Sequence, residues 1–169
     1  MGPALLVGVV AAVVTAGITP LVVRLARRVG AVDVPSDPRK VHKDPVPTLG
    51  GIAMIVGFLA AFAVAAVLPA FDEVFNATSE PLGLLIGVGL IGVLGILDDV
   101  IGLPPTVKMA GQIVASLGPV LFGIQLVYAW VPGLGQVVAM APDLGMPLTV
   151  LLMVAMINAA NFIDGLDGL

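Results

Sequence analysis

Two adjacent aspartates stand nine residues ahead of a lysine, counted from the second, in the segment LDDVIGLPPTVK, residues 97–108. Asp98 and Asp99 could hold a hydrated Mg2+ ion, which accepts one or two carboxylates and takes its other ligands from water and substrate phosphates. A solvated acidic loop is the alternative, but paired carboxylates beside lipid are costly and usually functional. Lys108 could bind a phosphate, and a lysine that only snorkels from a helix start has the same pattern.

A second polar segment, NAANFIDGLDGL, covers residues 158–169. Asn158, Asn161, Asp164 and Asp167 are spaced by three, so on a helix they form a slowly winding polar stripe. Two glycines between and after the aspartates would break the helix and let the backbone come close to a ligand. For Asn158, plain hydrogen bonding between helices is the alternative interpretation.

A third polar segment, DVPSDPRKVHKDPVPTLGG, is basic and rich in proline and covers residues 33–51. His42 and Lys43 lie within it, next to Arg39 and Lys40. The basic cluster could attract anionic lipids and determine topology, while the prolines favour an ordered extended loop. A role of His42 in proton transfer stays open, because nothing in the segment identifies its partner.

The elements that position these segments are membrane helices. The chain is 59% hydrophobic and 11% charged, with a mean hydropathy of +1.16, which excludes an ordinary soluble domain. Its charge-free runs predict one all-α, polytopic membrane bundle, a single transmembrane domain of five helices at about 2–25, 50–70, 81–97, 109–130 and 144–163. Tyr128 and Trp130 are expected at the membrane interface, where the fourth helix ends before a Pro- and Gly-containing turn. The absence of cysteine excludes disulfides and thiolate metal sites.

The charges of the loops predict the orientation. All seven basic residues lie at the inner end of the first helix or in the loops 26–49 and 98–108. The charged residues of the opposite loops are all acidic. The positive-inside rule therefore places the N-terminus outside and the C-terminus in the cytoplasm. This topology brings the three polar segments, including the 164–169 end, to the cytoplasmic face of a cell membrane.

Together, in this order, the three segments resemble the polyprenyl-phosphate N-acetylhexosamine-1-phosphate transferases. The resemblance rests on the basic loop ending in PTLGG, on LDD ahead of a lysine, and on NxxNxxDGxDGL. The forms PxPTLGG and DDVIGLPPTVK are closer to the branch that uses UDP-N-acetylglucosamine. The resemblance implies transfer of N-acetylglucosamine 1-phosphate to polyprenyl phosphate with release of UMP, initiating cell-envelope polysaccharide synthesis. It also implies Mg2+ as cofactor, with Mn2+ as the alternative.

The resemblance implies roles for particular residues. Asp98 and Asp99 would be catalytic and, with Asn161, would be metal ligands. The residues implied in substrate binding are His42, Lys43, Lys108, Asn158, Asp164 and Asp167, with the two basic neighbours near the lipid phosphate and Asp167 near the uracil. The implied partners are a UDP-sugar, a polyprenyl phosphate and the membrane, without nucleic acid, and a homodimer is left open.

Three alternatives remain. The phospho-N-acetylmuramoyl-pentapeptide transferase branch would use another UDP-sugar. An intramembrane prenyltransferase would need a DxxxD or DDxxD motif, whereas residues 98–102 read DDVIG. A non-catalytic helical subunit would use its polar residues to hold helices together, with Gly83 and Gly87 as a packing face. Members of the family are roughly twice as long, so we also expect this chain to be part of a longer protein and inactive alone.

Overall fold

The computed structural model describes residues 2–33, 46–131, 133 and 135–164, and for residues 33, 46, 163 and 164 the backbone alone. The described chain consists of six helices and two short hairpins. The helices are α1 Pro3–Val29, α2 Gly50–Ala66, α3 Asp72–Ala77, α4 Glu80–Ile101, α5 Pro105–Leu121 and α6 Pro142–Asp164. The strands are β1 Val32–Asp33, β2 Val46–Pro47, β3 Tyr128–Val131 and β4 Gln136–Ala139. A 3-10 turn, Pro69–Phe71, lies between α2 and α3.

Three helices are long and apolar enough to cross a membrane, namely α1, α4 and the part Pro142–Phe162 of α6. A fourth crossing results if α2 and the bent segment after it count as one span. The 17 residues of α5 make it about 26 Å long at 1.5 Å per residue, near the lower limit for a crossing helix. The chain is therefore a helical membrane protein, as the composition predicts, while the number of five crossings stays a prediction.

The second predicted helix, 50–70, is interrupted. α2 stops short of residue 70, and the chain bends by 92° into the 3-10 turn and α3. Leu68 is extended, with φ −92° and ψ 124°, because a residue before proline is disfavoured in the helical region. Pro69 then has no N–H with which to continue the helix. The ring of Phe75 on α3 packs edge-on against Phe62 on α2, with 5.0 Å between the centroids.

The third predicted helix, 81–97, is longer than expected. α4 continues to Ile101, so Asp98 and Asp99 lie in its last turns and not in the loop that follows. Gly102 has a φ of 66°, a left-handed conformation that ends the helix and that glycine adopts without a steric penalty. The loop between α4 and α5 is therefore only residues 102–104.

The fourth predicted helix, 109–130, differs most from the structure. α5 begins earlier, at Pro105, and ends at Leu121. The N–H of Gly123, whose φ is 105°, donates to the carbonyl of Val120, and the next N–H donates to that of Pro119. This pair of hydrogen bonds is the Schellman arrangement, which closes a helix at a left-handed glycine.

Tyr128 and Trp130 consequently lie in a hairpin. β3 pairs antiparallel with β4, with Tyr128 opposite Ala139 and Trp130 opposite Val137. Cross-strand partners and alternate residues share one face of a sheet. Tyr128, Trp130 and Val137 therefore form an apolar face, and all three side chains are exposed.

Contacts divide the chain into two units, of which the first comprises Met1–Thr78 and Gly92–Pro104. In this unit α1 packs against a face of α2 that carries small residues at every fourth position, namely Ala53, Gly57, Ala61 and Ala65. A Cβ atom at Gly57 would lie 2.8 Å from the carbonyl oxygen of Ala11 and would also collide with Thr15. The two helices therefore approach as closely as small residues permit, as in many membrane helix pairs.

The second unit comprises Ser79–Ile91 and Pro105–Leu169. Gly83 and Gly87 on α4 face Phe122 and Pro119 at the end of α5, so the packing face predicted for these glycines is present. The helices α5 and α6 also pack together.

One hydrogen bond between α5 and α6, and another to α6 from the chain that follows α5, show that these helices run antiparallel. The N–H of Leu126, just after α5, donates to the hydroxyl of Thr149 over 2.7 Å. The amide of Asn158, farther along α6, donates to Gln112, which lies earlier along α5, over 2.6 Å. The start of α5 and the end of α6 therefore lie at the same end of the pair.

Candidate functional site

Asp98 shapes the end of α4. Its backbone carbonyl accepts the N–H of Gly102 over 2.9 Å, and its Oδ1 accepts the N–H of Leu103 over 3.1 Å. The side chain thus binds a backbone donor that would otherwise face the loop, and this contact orients the half-buried carboxylate. A residue expected only to act in chemistry also holds the loop that follows it.

Asp99 differs from Asp98 in its exposure. Consecutive residues on an α-helix are rotated by about 100°, so the two side chains leave the helix at different points around its axis. The side chain of Asp99 is exposed, whereas that of Asp98 is half-buried and turned toward the loop. Of the pair, Asp99 therefore presents its carboxylate more openly to a ligand from solution.

The charged side chains at the end of α4 and at the start of α5 have the same sign as the partial charge of the helix dipole beside them. Asp98 and Asp99 lie in the last turns of α4, where the helix carries partial negative charge. Lys108 lies in the first turn of α5, where the partial charge is positive and backbone N–H groups favour anions. The first end is electrostatically suited to a cation and the second to an anion such as a phosphate.

The second unit brings Lys108 and Asn161 to the same end of the α5 and α6 pair. Lys108 lies one turn before Gln112 on α5, about 6 Å along the axis, and Asn161 lies three residues after Asn158, about 4.5 Å along α6. Because the helices are antiparallel, both displacements run in the same direction. The lysine is half-buried and the asparagine exposed at this end.

Asn158 is engaged in the contact between the helices. Its Nδ2 donates to Oε1 of Gln112 over 2.6 Å and to the carbonyl of Val154 over 2.8 Å. The alternative of interhelical hydrogen bonding, weighed for this residue from the sequence, is therefore observed. Its expected contact with substrate stays a prediction.

Several of the predicted residues cannot be placed. His42, Lys43 and Asp167 lie outside the described residues, and for Asp164 the backbone at the end of α6 is described without its side chain. The strands β1 and β2 pair Asp33 with Val46. The described residues on either side of the basic cluster are therefore adjacent to each other.

The sequence PTLGG, on which the resemblance partly rests, has a structural role. The hydroxyl of Thr48 donates to the carbonyl of Ala31 over 3.1 Å. Leu49 is buried in a cluster with Ala31, Ala26 and Ala53. These contacts join the start of α2 to the end of α1.

A divalent cation would find hard oxygen ligands at the end of α4. Among the residues that the structure describes there is no group of three or more acidic, histidine or cysteine side chains that could hold a metal. Two carboxylates are nevertheless the number that hydrated Mg2+ commonly takes from a protein, with water and phosphates completing the octahedron. Asp98 and Asp99 therefore fit Mg2+ as partial ligands and do not fit a closed metal cage.

Gln112 is the polar residue that sequence reasoning missed. It is only 3% exposed, on a face of α5 that also buries Ala115, Ser116 and Pro119. Glutamine occurs in ordinary helices without consequence, so its type alone gave no signal. Its spacing of one turn from Lys108 was the available clue, because residues four apart share a helix face.

Comparison with known proteins identifies the family. A model of the family described as "Glycosyl transferase family 4" matches residues 81–169, a little more than half of the chain. This part contains the aspartate pair, Lys108 and the polar stripe of residues 158–167. No solved structure matches the chain.

Curated relatives match almost the whole chain. Decaprenyl-phosphate N-acetylglucosaminephosphotransferase of Mycobacterium tuberculosis is 41% identical over 167 residues, covering 97% of this chain and 41% of that protein. A probable undecaprenyl-phosphate N-acetylglucosaminyl 1-phosphate transferase of Bacillus subtilis is 38% identical over 152 residues, covering 90% and 40%. Phospho-N-acetylmuramoyl-pentapeptide-transferase of Streptomyces avermitilis is 31% identical over 184 residues, covering 96% and 50%.

This chain spans between two fifths and half of the length of these relatives. The matches confirm the resemblance that the three polar segments indicate, and the chain belongs to glycosyl transferase family 4.

Proposed function

We propose that the protein to which this chain belongs transfers N-acetylglucosamine 1-phosphate from UDP-N-acetylglucosamine to a polyprenyl phosphate and releases UMP. The observation that carries the proposal is the 41% identity, over 97% of this chain, with a protein named for that transfer. In the reaction an oxygen of the lipid phosphate attacks the β-phosphorus of the UDP-sugar. The bond between the two donor phosphates breaks, and UMP leaves with the bridging oxygen.

The charges of the two helix ends support this chemistry. Phosphoryl transfer between two anions depends mainly on neutralising and aligning the phosphates. Asp98 and Asp99 would hold Mg2+, or Mn2+ in its place, which when bound would neutralise phosphate charge. Lys108 and the N-terminus of α5 would bind a phosphate oxygen.

Further roles follow from the family motif NxxNxxDGxDGL. Asn161 would provide an oxygen ligand for the metal, and its exposed side chain at the end of α6 is compatible with that role. Asp167 would contact the uracil, and Asp164 would support the same pocket. His42 and Lys43 would lie near the entry of the lipid phosphate.

The membrane setting also fits the two substrates, because a polyprenyl phosphate stays in the bilayer while a UDP-sugar stays in water. We propose that five helices cross the cell membrane with the N-terminus outside, so that the reaction takes place at the cytoplasmic interface. The distribution of basic residues supports this orientation. A homodimer is compatible with the proposal but is not needed for it.

The choice of sugar follows from the order of similarity. The two relatives named for N-acetylglucosamine 1-phosphate transfer are 41% and 38% identical over 97% and 90% of this chain. The muramoyl-pentapeptide transferases of S. avermitilis and Thermobifida fusca are 31% identical over 96% and 37% identical over 75% of it. UDP-N-acetylglucosamine is therefore the donor to test before UDP-N-acetylmuramoyl-pentapeptide.

The experiment measures label transfer from radioactive UDP-N-acetylglucosamine to polyprenyl phosphate, in membranes that contain the product of the complete reading frame. Transfer is expected only with a divalent cation present. Label arriving from UDP-N-acetylmuramoyl-pentapeptide alone would contradict the proposed donor, and label from neither donor would contradict the proposed reaction.

Lys108→Ala provides the residue-level test. Loss of the ammonium group is expected to lower kcat/KM for the UDP-sugar by about a hundredfold, the size of one charge-assisted contact to a transferring phosphate. Arg28→Ala is the matched control, because Arg28 is an exposed cation in the last turn of α1 with no proposed substrate contact. Equal activities of the two variants would contradict the role of Lys108.

A further inference from the structure

We propose that Gln112 is a positioning residue, which sets the register of α6 against α5 through Asn158 and thereby the height of Asn161 relative to Lys108. The inference rests on the proposed function for what these two residues bind. The register itself is a property of the helix pair and can be measured without any substrate.

The first argument is the cost of an unsatisfied amide at this position. Gln112 is 3% exposed in a helix of a membrane protein, where water does not compete for its hydrogen bonds. A buried amide without a partner costs free energy on the order of a few kcal/mol. The 2.6 Å hydrogen bond from Asn158 to Oε1 meets this requirement, and it does so at one relative height of the helices only.

The second argument is the directionality of the contact. The buried residues Gly118 and Pro119, farther along α5, face Gly83 and Gly87 of α4, so they do not fix the height of α5 against α6. A directional polar contact is the usual device that selects one register among several of similar packing.

The third argument is the short distance along the helices between the hydrogen-bonded pair, Gln112 and Asn158, and the residues of the proposed site. Lys108 lies one turn from Gln112, and Asn161 lies less than one turn from Asn158. A slip of one residue along α6 would move Asn161 by about 1.5 Å and rotate it by about 100°. Displacements of about 1 Å can lower catalytic rates by two orders of magnitude.

Thr149 offers a matched control at the other end of the same helix pair. It is also buried, and its hydroxyl accepts the N–H of Leu126 over 2.7 Å. Thr149→Val therefore removes a part-buried hydrogen bond between α6 and the chain that follows α5, at the end of the helix pair away from Lys108. A purely structural role of Gln112 predicts that the two single variants behave alike.

The first measurement is a distance. The chain has no cysteine, so Met109→Cys and Phe162→Cys, both at exposed positions, allow spin labelling at the site end in lipid nanodiscs. In the labelled chain, Gln112→Leu is expected to shift or broaden the distance distribution, whereas Thr149→Val leaves it unchanged. An unchanged distribution in Gln112→Leu would overturn the proposal.

The second measurement separates rate from stability in the product of the complete reading frame. Gln112→Leu is expected to lower kcat per folded molecule by about tenfold or more, while Thr149→Val lowers the thermal midpoint with little effect on kcat. The double variant Gln112→Leu with Asn158→Leu leaves no orphaned amide, so it is expected to regain stability, while the distance between the spin labels stays shifted or broadened.

The exchange of the two amides, Gln112→Asn with Asn158→Gln, keeps one long and one short side chain across the interface and is expected to restore the wild-type distance distribution between the spin labels. Recovery of kcat in the double leucine variant would overturn the proposal, because the pair would then act through stability alone. A wild-type protein without transferase activity would contradict the proposed function, and the distance measurement would still decide whether the pair sets the register.

Discussion

At the residue scale, Asp98 combines two roles that a sequence motif does not separate. Its carboxylate is a proposed metal ligand, and its Oδ1 also accepts the N–H of Leu103. Removal of the side chain would therefore disturb the loop as well as the chemistry. To separate the two roles, one substitution must remove the charge of Asp98 and keep its hydrogen bond to Leu103.

Asp98→Asn and Asp98→Ala make that distinction. The amide oxygen of asparagine can still accept the N–H of Leu103, so Asp98→Asn is expected to abolish transfer while leaving the thermal midpoint near that of the wild type. Asp98→Ala is expected to abolish transfer and to lower stability by about 1 kcal/mol, the net value of one hydrogen bond. Equal stability of the two variants, measured by thermal unfolding in detergent, would show that the contact to Leu103 contributes nothing.

At the element scale, two helices end earlier than hydropathy predicts. The second predicted helix bends at Pro69, and the fourth gives way to a hairpin after Gly123. In both places the residues remain apolar, so a hydropathy profile does not register the change. Backbone restrictions of proline and glycine decide where these helices end.

The close approach of α1 and α2 predicts that alanine lowers stability at one glycine and raises it at another. Gly57→Ala would bring a Cβ atom to 2.8 Å from a backbone oxygen of α1 and is expected to destabilise the pair by about 1–3 kcal/mol. Gly17→Ala, on α1, places its Cβ where nothing lies within 4 Å and is expected to stabilise the helix by about 0.5–1 kcal/mol. Thermal midpoints that move in the same direction would contradict the packing described here.

The hairpin of β3 and β4 immediately precedes α6, which is apolar enough to cross a membrane. The exposed face of the hairpin carries Trp130, the one tryptophan of the chain. Aromatic side chains such as this one favour the membrane interface. The tryptophan fluorescence of this chain in vesicles is therefore expected to be quenched by lipids brominated near the headgroup. Trp130→Phe combined with Ala129→Trp moves the fluorophore to the opposite, half-buried face and is expected to reduce quenching. Equal quenching of both proteins would refute an interfacial face.

At the scale of the whole molecule, the orientation in the membrane decides which solution the proposed site faces. All seven basic residues lie on one side of the predicted topology. The chain has long apolar helices, and chemical labelling of the loops between them tests the predicted orientation. The absence of native cysteine makes single-cysteine labelling direct.

Arg28→Cys and Asn76→Cys place one exposed thiol on each expected side. With a membrane-impermeant maleimide, Asn76→Cys is expected to react in intact cells and Arg28→Cys only after permeabilisation. The reverse pattern would invert the topology and with it the cytoplasmic location of the proposed site. Labelling of both thiols in intact cells would show that at least one of the first two helices does not cross.

The sequence by itself determined the membrane class, the family and the residues that could do chemistry. Those conclusions depend on composition and on the types and spacing of a few polar residues, which are local properties of the chain. It also located α1 and α6 to within a few residues, because their apolar runs are long and bounded by turn residues or charges.

Only the tertiary structure decided what the polar side chains contact. The hydrogen bond from Asn158 to Gln112 joins residues 46 positions apart, and no periodicity within one helix indicates which neighbour it faces. The contact that Asp98 makes with Leu103 depends on the left-handed Gly102, which ends α4 only after the predicted range 81–97. Register and close approach arise from packing between helices, so they appear only when the helices are assembled.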